Sequence, residues 1–567
     1  MTYLYNDPTA FLDELVEGFT AAYPERVIAV PGGVIRATAV PAGQVAIVIG
    51  GGSGHYPAFA GLVGPGLAHG AAMGNVFASP SAQAIYTVAK AAQAGGGVLL
   101  SYGNYAGDVL NFDQAQERLI AEGIPCRSVA VTDDITSASY AERHKRRGVA
   151  GDLCVFKAAS FAAEQGKSLD EVYQIAKKAN ERTRSFGVAF TGCTLPGADA
   201  PLFSVPPGRM AVGMGLHGEP GLREEKIGTA AEIAKLLVDG LLAELPEGIS
   251  GPAGHRVAVL TNGLGSVKYE ELFVFHRSID SLLKQAGLTI VQPDVGEIAT
   301  SFDMAGCSLT LCWLDDELEQ AWLAPADTPA YRKGSIAPQA LRDVAELADV
   351  VSQSSAPASA ESKAAAQIVL RAVNAAADRI DATADELGRM DAVAGDGDHG
   401  IGMQRGAAAA RKAAAAAVAN GAGVGTTLTE AADAWADRAG GTSGALWGLI
   451  LRSLGTAFGD EAVPDAAAVA GGVNAARDAV IGFGKAQVGD KTMVDTLVPF
   501  ADALAQAAAA GTPLPAAWLT ASAVARRAAE STAELLPKIG RARPHAEKSL
   551  GTPDPGAISM ATIIEAV

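Results

Sequence analysis

Four short apolar runs, each closed by glycines or acids, constrain this chain most: QVAIVIGGG (44–52), GGGVLLSYG (95–103), RSVAVTDD (127–134) and RVAVLTNG (256–263). Runs of this length, rich in β-branched residues and separated by helical periodicity, are the pattern of buried strands in a mostly parallel sheet faced by helices. Entry should be through a helix. Asp7 stands as a cap, Pro8 suits a first turn, and Phe11, Leu12, Leu15 and Phe19 recur at helical spacing.

After about residue 335 the texture changes. Residues 336–362, around SQSSAPASAES, are rich in Ala, Ser, Asp and Glu and read as an interdomain linker. Beyond them come alanine-rich tracts such as RGAAAARKAAAAAVANGA, which favour closely packed helices. At 567 residues the chain is too long for one core. The expected organisation is an α/β half over 1–335, the linker, and an all-α half over 363–567.

A net charge of -18 argues against general affinity for nucleic acid, and His144–Lys–Arg–Arg147 reads as a solvated helix end. The five cysteines form no C-x-x-C pair, which suits a reducing compartment. No basic-then-apolar leader opens the sequence and no run approaches 18 apolar residues, so a soluble cytoplasmic protein is expected.

Chemistry concentrates in a few glycine-rich stretches. In VGMGLHGEPG a single histidine, His217, stands among glycines and a proline, either as a turn residue or as a ring that a small molecule can reach. Gly51, Gly52, Ser53 and Gly54 follow a strand and precede His55, offering bare amides to a substrate. Asp108 is the first carboxylate after an acid-free stretch from Arg26 through Gly107. It follows a strand through a tight turn, and is either a helix-start residue or a base for a substrate hydroxyl.

In the second half Asp391, Asp396 and Asp398 crowd into MDAVAGDGDHG, joined by glycines that let the chain fold three carboxylates around one point. So few oxygen ligands suit Mg²⁺, which completes its shell with water and phosphate oxygens. GGTSGALWG and GDKTMVDTL supply amides and hydroxyls of the kind that meet phosphates. The usual nucleotide signatures fail. GGGSGHYP lacks the third glycine of a dinucleotide loop, EQGKS lacks the opening glycine of a P-loop, and no acid closes the Asp396 segment as an EF-hand requires.

Taken in order, NDPTAFLDELVEGFTAAYP, GGGSGH, VFASPS, NYAGDVLNF, GCTLPGADAP, GLHGEPG, TNGLG, GDGDHG, GGTSG, GDKTM and DPGA make nearly the whole chain similar to the dihydroxyacetone kinase family in its single-chain, ATP-dependent form. The resemblance implies a ketose-binding half of two α/β subdomains and a C-terminal helical barrel carrying ATP on Mg²⁺. It implies that His217 binds the ketone covalently as a hemiaminal, that Asp108 serves as base, and that His55 hydrogen-bonds the substrate. Gly51, Gly52, Ser53, Gly54, Gly103 and Asn104 would line the sugar. Asp391, Asp396 and Asp398 would hold Mg²⁺, with His399, Thr442, Ser443, Gly489, Thr492, Met493 and Arg541 toward the nucleotide. A homodimer with active sites shared between chains is implied as well.

Three positions depart from the family pattern: Tyr56 and Asn75 where acids are usual, and Gly103 where a lysine is usual. Losing that lysine enlarges the sugar pocket, so erythrulose is expected ahead of dihydroxyacetone. The same motifs leave open a phosphoenolpyruvate-linked transferase, a non-catalytic ketose sensor, and a side activity on FAD.

Overall fold

The computed structural model describes residues 2–342, 358–395, 397–539 and 547–567, in two compact units, Met1–Ser352 and Gln353–Val567. The centre of the expected linker, 343–357, lies outside the described residues, as do Asp396 and Arg541.

The first unit opens as expected. Asp7 accepts a hydrogen bond from the Thr9 amide at 2.8 Å and caps a short turn, Pro8–Ala10, that leads into α1 (Phe11–Ala22). A six-stranded sheet follows, built from β1 (Val27–Val30), β2 (Gly33–Arg36), β3 (Ala46–Ser53), β4 (Gly70–Val76), β5 (Val98–Gly103) and β6 (Cys126–Val131), in the order β1-β2-β4-β3-β5-β6. From β4 to β6 the neighbours are parallel, with α2 (Ala82–Ala92), α3 (Ala106–Ala121), α4 (Asp152–Glu164) and α5 (Leu169–Glu181) covering the faces. β3 and β5 are buried along their full length apart from Gly52, which explains their unbroken apolar sequence.

A second sheet contains β7 (Thr183–Ala189), β8 (Arg209–Val212), β9 (Arg223–Lys226), β10 (Arg256–Gly263), β11 (Thr289–Ile290), β12 (Asp294–Glu297) and β13 (Gly306–Leu314). The helices α6 (Ala230–Leu242), α7 (Tyr269–Gln285) and α8 (Asp316–Leu323) accompany it, and β14 (Ala326–Asp327) pairs with β15 (Arg332–Lys333). Here the expectation of a mostly parallel sheet is corrected. The pairs β10–β13, β13–β7, β7–β8 and β8–β9 are antiparallel, and only β11 and β12 run parallel to β10. β7, β8 and β9 are joined by loops without helices, and antiparallel neighbours need no crossover. The β8–β9 connection carries His217.

The described part of the second unit is helical: α9 (Ala360–Asp391), α10 (His399–Ala419), α11 (Val424–Ala439), α12 (Gly441–Phe458), α13 (Ala466–Gly484), α14 (Val494–Ala509), α15 (Leu514–Ser531) and α16 (Pro555–Ala566). Its alanines are interface residues. Ala407, Ala410, Ala414 and Ala417 line the buried stripe of α10, at the spacing that lets neighbouring backbones approach closely. Among the described residues no helix is long and apolar enough to cross a membrane.

Candidate active site

Three chain segments bring the predicted residues of the first unit together. β3 ends in the glycine loop, β5 ends one turn before Asp108, and β8 ends in the loop of His217. The loop needs its glycines: a Cβ on Gly54, where φ is +101°, would sit 2.6 Å from Phe302 and 2.7 Å from Phe77. Ser53 turns its hydroxyl back to the Gly74 carbonyl at 2.7 Å, leaving backbone rather than side chain toward a ligand.

His55 and His217 meet here. Nδ1 of the buried His55 lies 2.7 Å from the Thr300 carbonyl, and Nδ1 of His217 lies 3.0 Å from Oε1 of Glu219. A carbonyl and a carboxylate only accept, so both Nδ1 atoms carry hydrogen. The two Nε2 atoms stand 3.0 Å apart. Two neutral rings would oppose lone pairs there, so the contact requires one further proton between them. Burial first, and then the charge of His217, push His55 down to about 3, so that proton does not rest on His55. Glu219 balances the charge. Although burial opposes its ionisation, the His217 charge and hydrogen bond, with Arg147, hold its carboxyl well below the usual range.

Aromatic rings wall the pair. Phe77 stacks on His55 with centroids 4.9 Å apart, while Phe77 and Tyr105 present edges to His217 at 5.1 and 4.9 Å. Asp108 lies in the first turn of α3, buried, with Oδ1 lacking a hydrogen-bond partner in the structure. Burial pushes its carboxyl up to about 7, against the opposing effects of Ser79 and His217. A carboxylate balanced near neutrality with a free oxygen is the equipment of a general base.

Gly103 and Asn104 act differently from one another. A Cβ on Gly103 would lie 3.2 Å from the Tyr105 ring and 3.3 Å from the Gly148 carbonyl, so a longer side chain would thread a narrow gap. Asn104 spends its amide hydrogens on the carbonyls of His144 and Arg146, at 3.1 and 2.7 Å, and fixes the loop carrying Arg147. The expectation of a solvated end at 144–147 is corrected in its second half. His144 and Lys145 are exposed, but Arg146 is buried against Glu244 at 2.5 and 2.7 Å and Arg147 against Asp134. The buried Asp134, just beyond β6, and the half-buried Glu244, after α6, account for the difference.

In the second unit Asp391, at the end of α9, accepts from the Gly397 amide at 2.9 Å and lies 3.4 Å from the His399 amide. Asp398 is exposed at the loop surface, yet desolvation by the loop around its carboxyl and the charge of Asp391 push it up to about 6. Asp554 caps α16 through the Ala557 amide at 2.7 Å. Burial, with the charges of Asp495 and Asp391, pushes it up to about 7 against the opposing effects of the Ala557 amide and Lys491. Asp391 thus acts on both Asp398 and Asp554, and Asp495 on Asp554, which joins these four carboxyls into one acidic basin. Among the described residues no three His, Cys, Asp or Glu side chains already stand at metal-ligating distance. The residues fit a divalent cation nonetheless, since the raised carboxyls of Asp398 and Asp554, each facing the charge of Asp391, are the donor set one would relieve.

Other predicted contacts are distributed unevenly. His399 is buried, its Nε2 3.0 Å from the Ser559 hydroxyl, and so ties α10 to α16. Thr442 and Ser443 open α12 after Gly440 and Gly441, both at positive φ. The amides of Gly489 and Thr492 donate to Asp495 at 2.5 and 2.8 Å, and Met493 is buried before α14. Those two amides are occupied by a carboxylate, contrary to the expectation that they stay open for phosphate. The starts of α10, α14 and α16 lie near one another, since His399 reaches Ser559 and a Cβ on Gly556 would meet Met493 at 3.7 Å. Converging helix N-termini favour anions.

Glu219, Phe77, Tyr105, Asp495 and Asp554 have no role in the sequence reading, and Arg147 figures there only as part of a solvated helix end. Glu219 stands two residues after His217, and Asp554 carries the Asp-Pro signature of a helix start, so both were legible. Arg147 and Tyr105 gave no local signal.

The comparisons with known proteins agree with this geometry. A Dak1 domain model matches residues 17–330 and a DAK2 domain model matches 393–567. The chain is 62% identical over 568 residues to the L-erythrulose kinase of Pectobacterium atrosepticum, covering 100% of this chain and 96% of that protein. It is 53% identical over 566 residues to the D-erythrulose kinase of Mycolicibacterium smegmatis, covering 99% and 97%. Among solved structures, the dihydroxyacetone kinase from C. freundii in complex with AMP-PNP and Mg²⁺ matches with a TM-score of 0.53 and 30% identity, over 100% of this chain and 99% of that one.

Proposed function

The chain belongs to the dihydroxyacetone kinase family, and on that premise we propose that it phosphorylates a terminal hydroxyl of erythrulose, in preference to dihydroxyacetone, while His217 holds the sugar covalently. It is an ATP-dependent ketose kinase using Mg²⁺. We assign the ketose half to residues 1–335 and the nucleotide half to 363–567, joined by 336–362.

The single observation that carries the covalent reading is the Nε2–Nε2 contact of His55 and His217 at 3.0 Å. As a ketose enters, the shared proton passes from His217 to His55 and frees a lone pair on Nε2 of His217. That pair forms a bond to the carbonyl carbon, the C=O π bond breaks, and its oxygen takes the proton from Nε2 of His55. The alkylated imidazole is again cationic and remains paired with Glu219. No net charge is created in the site. Glycerol, having no carbonyl, gains nothing from this bond, so ketoses are selected over polyols. Asp108 accepts the proton of the hydroxyl to be phosphorylated, an assistance worth roughly 10²- to 10⁴-fold. Support for a four-carbon sugar comes from the sequence, where Gly103 stands in place of the long cationic side chain usual in the family.

In the other half, Asp391, Asp396 and Asp398 would hold the metal, with Asp495 and Asp554 behind them. Bound there, Mg²⁺ supplies the positive charge that neutralises the phosphates of ATP. His399, Thr442, Ser443, Gly489, Thr492, Met493 and Arg541 form the nucleotide surroundings in this reading. We also propose a homodimer and a cytoplasmic location. All five cysteines are free and buried, which suits a reducing compartment.

ADP release measured on D-erythrulose, L-erythrulose and dihydroxyacetone tests the substrate. A higher kcat/KM on either erythrulose supports the reading, and a clear preference for the three-carbon sugar overturns it.

A further inference from the structure

We propose that Arg147 is a positioning residue which, acting through Glu219, sets how tightly the His217–His55 pair holds its shared proton. The inference rests on the reading of His217 as the ketose-binding nucleophile. It concerns a residue that touches neither the sugar carbonyl nor the nucleotide.

Arg147 is a buried guanidinium with directed bonds. Nε and Nη2 reach Oδ2 of Asp134 at 3.0 and 2.8 Å, Nη2 also donates to the Gly213 carbonyl at 3.1 Å, and Nη1 faces Oε2 of Glu219 at 3.7 Å. Asp134 is fixed in turn, because its Oδ1 accepts from the amide and hydroxyl of Thr136 at 2.9 and 2.6 Å. Glu219 completes the chain toward the nucleophile. Oε2 accepts from the His217 amide and Oε1 from its Nδ1, both at 3.0 Å. The Thr136 hydroxyl also donates to the Gly213 carbonyl at 3.1 Å, so the clamp holds the start of the His217 loop as well as its carboxylate.

The fold leaves room for this chain at one position in particular. A Cβ on Gly215 would collide with both Oε2 of Glu219 and Nη1 of Arg147. Glycine there lets the two charges pass behind His217.

The charge order is Asp134⁻, Arg147⁺, Glu219⁻, His217⁺. Glu219 divides its field between a fixed cation and a titrating one, so its hold on the proton of His217 is limited. The proton must leave His217 for His55 before Nε2 can attack, and must still be present on the pair to reach the carbinol oxygen. An intermediate hold serves both steps. The other polar groups around His217 are His55 from the β3 loop, and Tyr105 and Asp108 from the start of α3. None of them is a fixed cation, and among the described residues Arg147 is the permanent positive charge that acts on Glu219.

The test is the pH dependence of kcat/KM for ketose phosphorylation by the full chain, comparing wild type with Arg147→Gln, Arg147→Lys and Glu219→Gln. Removing the cation strengthens the hold of Glu219 on the pair. Arg147→Gln is therefore expected to move the basic limb, where the pair loses its proton, upward by about one pH unit and to lower kcat/KM about tenfold. Arg147→Lys should return the limb toward wild type. Glu219→Gln should move it the opposite way, downward. A structural defect alone would lower activity without shifting the two limbs in opposite directions, and should Arg147→Gln fold poorly, the Lys and Glu219 variants still decide the sign. Basic limbs unmoved in Arg147→Gln and Glu219→Gln, or moved in the same direction, overturn the inference. His217→Ala is assayed alongside. If it keeps more than a tenth of wild-type kcat/KM, the covalent reading fails, whereas loss of activity in it with unmoved limbs elsewhere defeats only the role of Arg147.

Discussion

Nε2 of His55 and Nε2 of His217 stand 3.0 Å apart, each on a ring whose Nδ1 is already bonded to an acceptor. Under the proposed mechanism His55 is the ring that takes a proton from His217 and gives it to a carbinol oxygen. Replacing it with Asn keeps a polar side chain but removes the carrier. His55→Asn should lower kcat/KM by about 10²- to 10⁴-fold and abolish the basic limb of its pH profile, read by ADP release across pH.

Asp108 links catalysis to stability. As the base it must be ionised, so kcat/KM should rise with pH through about 7. The effect on folding has the opposite sign. Below the ordinary value of 3.8 the group is protonated folded and unfolded, and costs nothing; between 3.8 and about 7 the unfolded chain ionises first, so stability falls as pH rises. Above about 7 the whole penalty, at most about 4 kcal/mol, stands. Asp108→Asn should thus lose activity by at least about 10²-fold while melting higher than wild type, by a margin that grows from pH 5 to pH 8. Calorimetry at the two values checks it.

Gly103 sets the width of the sugar pocket in this account. A lysine there would run along Tyr105 past the Gly148 carbonyl. Gly103→Lys should lower kcat/KM on erythrulose at least about tenfold relative to dihydroxyacetone, the size of effect expected for one carbon and its hydroxyl. Paired assays on both sugars give the ratio.

The acidic basin predicts its own metal dependence. With desolvation and the Asp391 charge raising the Asp398 carboxyl, Mg²⁺ should raise the melting temperature of wild type, and less that of Asp398→Asn. The same variant should lose kcat by about 10³-fold at saturating ketose. Differential scanning with and without Mg²⁺, and initial rates, separate binding from turnover.

What the sequence disclosed depended on how far each interaction reaches along the chain. β3, β5 and β10 were legible because burial on both faces leaves an unbroken apolar run, β6 because its buried positions Val129 and Val131 alternate with less buried ones, and the helical half because alanine stripes have no other use. His55, Asp108 and His217 were legible through glycine, which marks where backbone is cleared around a side chain. The antiparallel second sheet was not, since strand direction is decided by loops such as 213–222 whose sequence does not state which way they return. Arg147 was misread for the same reason. HKRR looks solvated until Asp134 and Glu244 are brought against it from elsewhere in the fold. The amides of Gly489 and Thr492 looked open for phosphate, while Asp495, a few residues on, takes both.

The most direct test of the central claim is a ¹³C NMR spectrum of the full chain mixed with equimolar ketose labelled at the carbonyl carbon, beside the same mixture with His217→Ala. A new carbinol-type resonance with wild type, absent with the variant, is the expected result. A bound sugar whose only signals are those of free ketone and hydrate, in both samples, would contradict it.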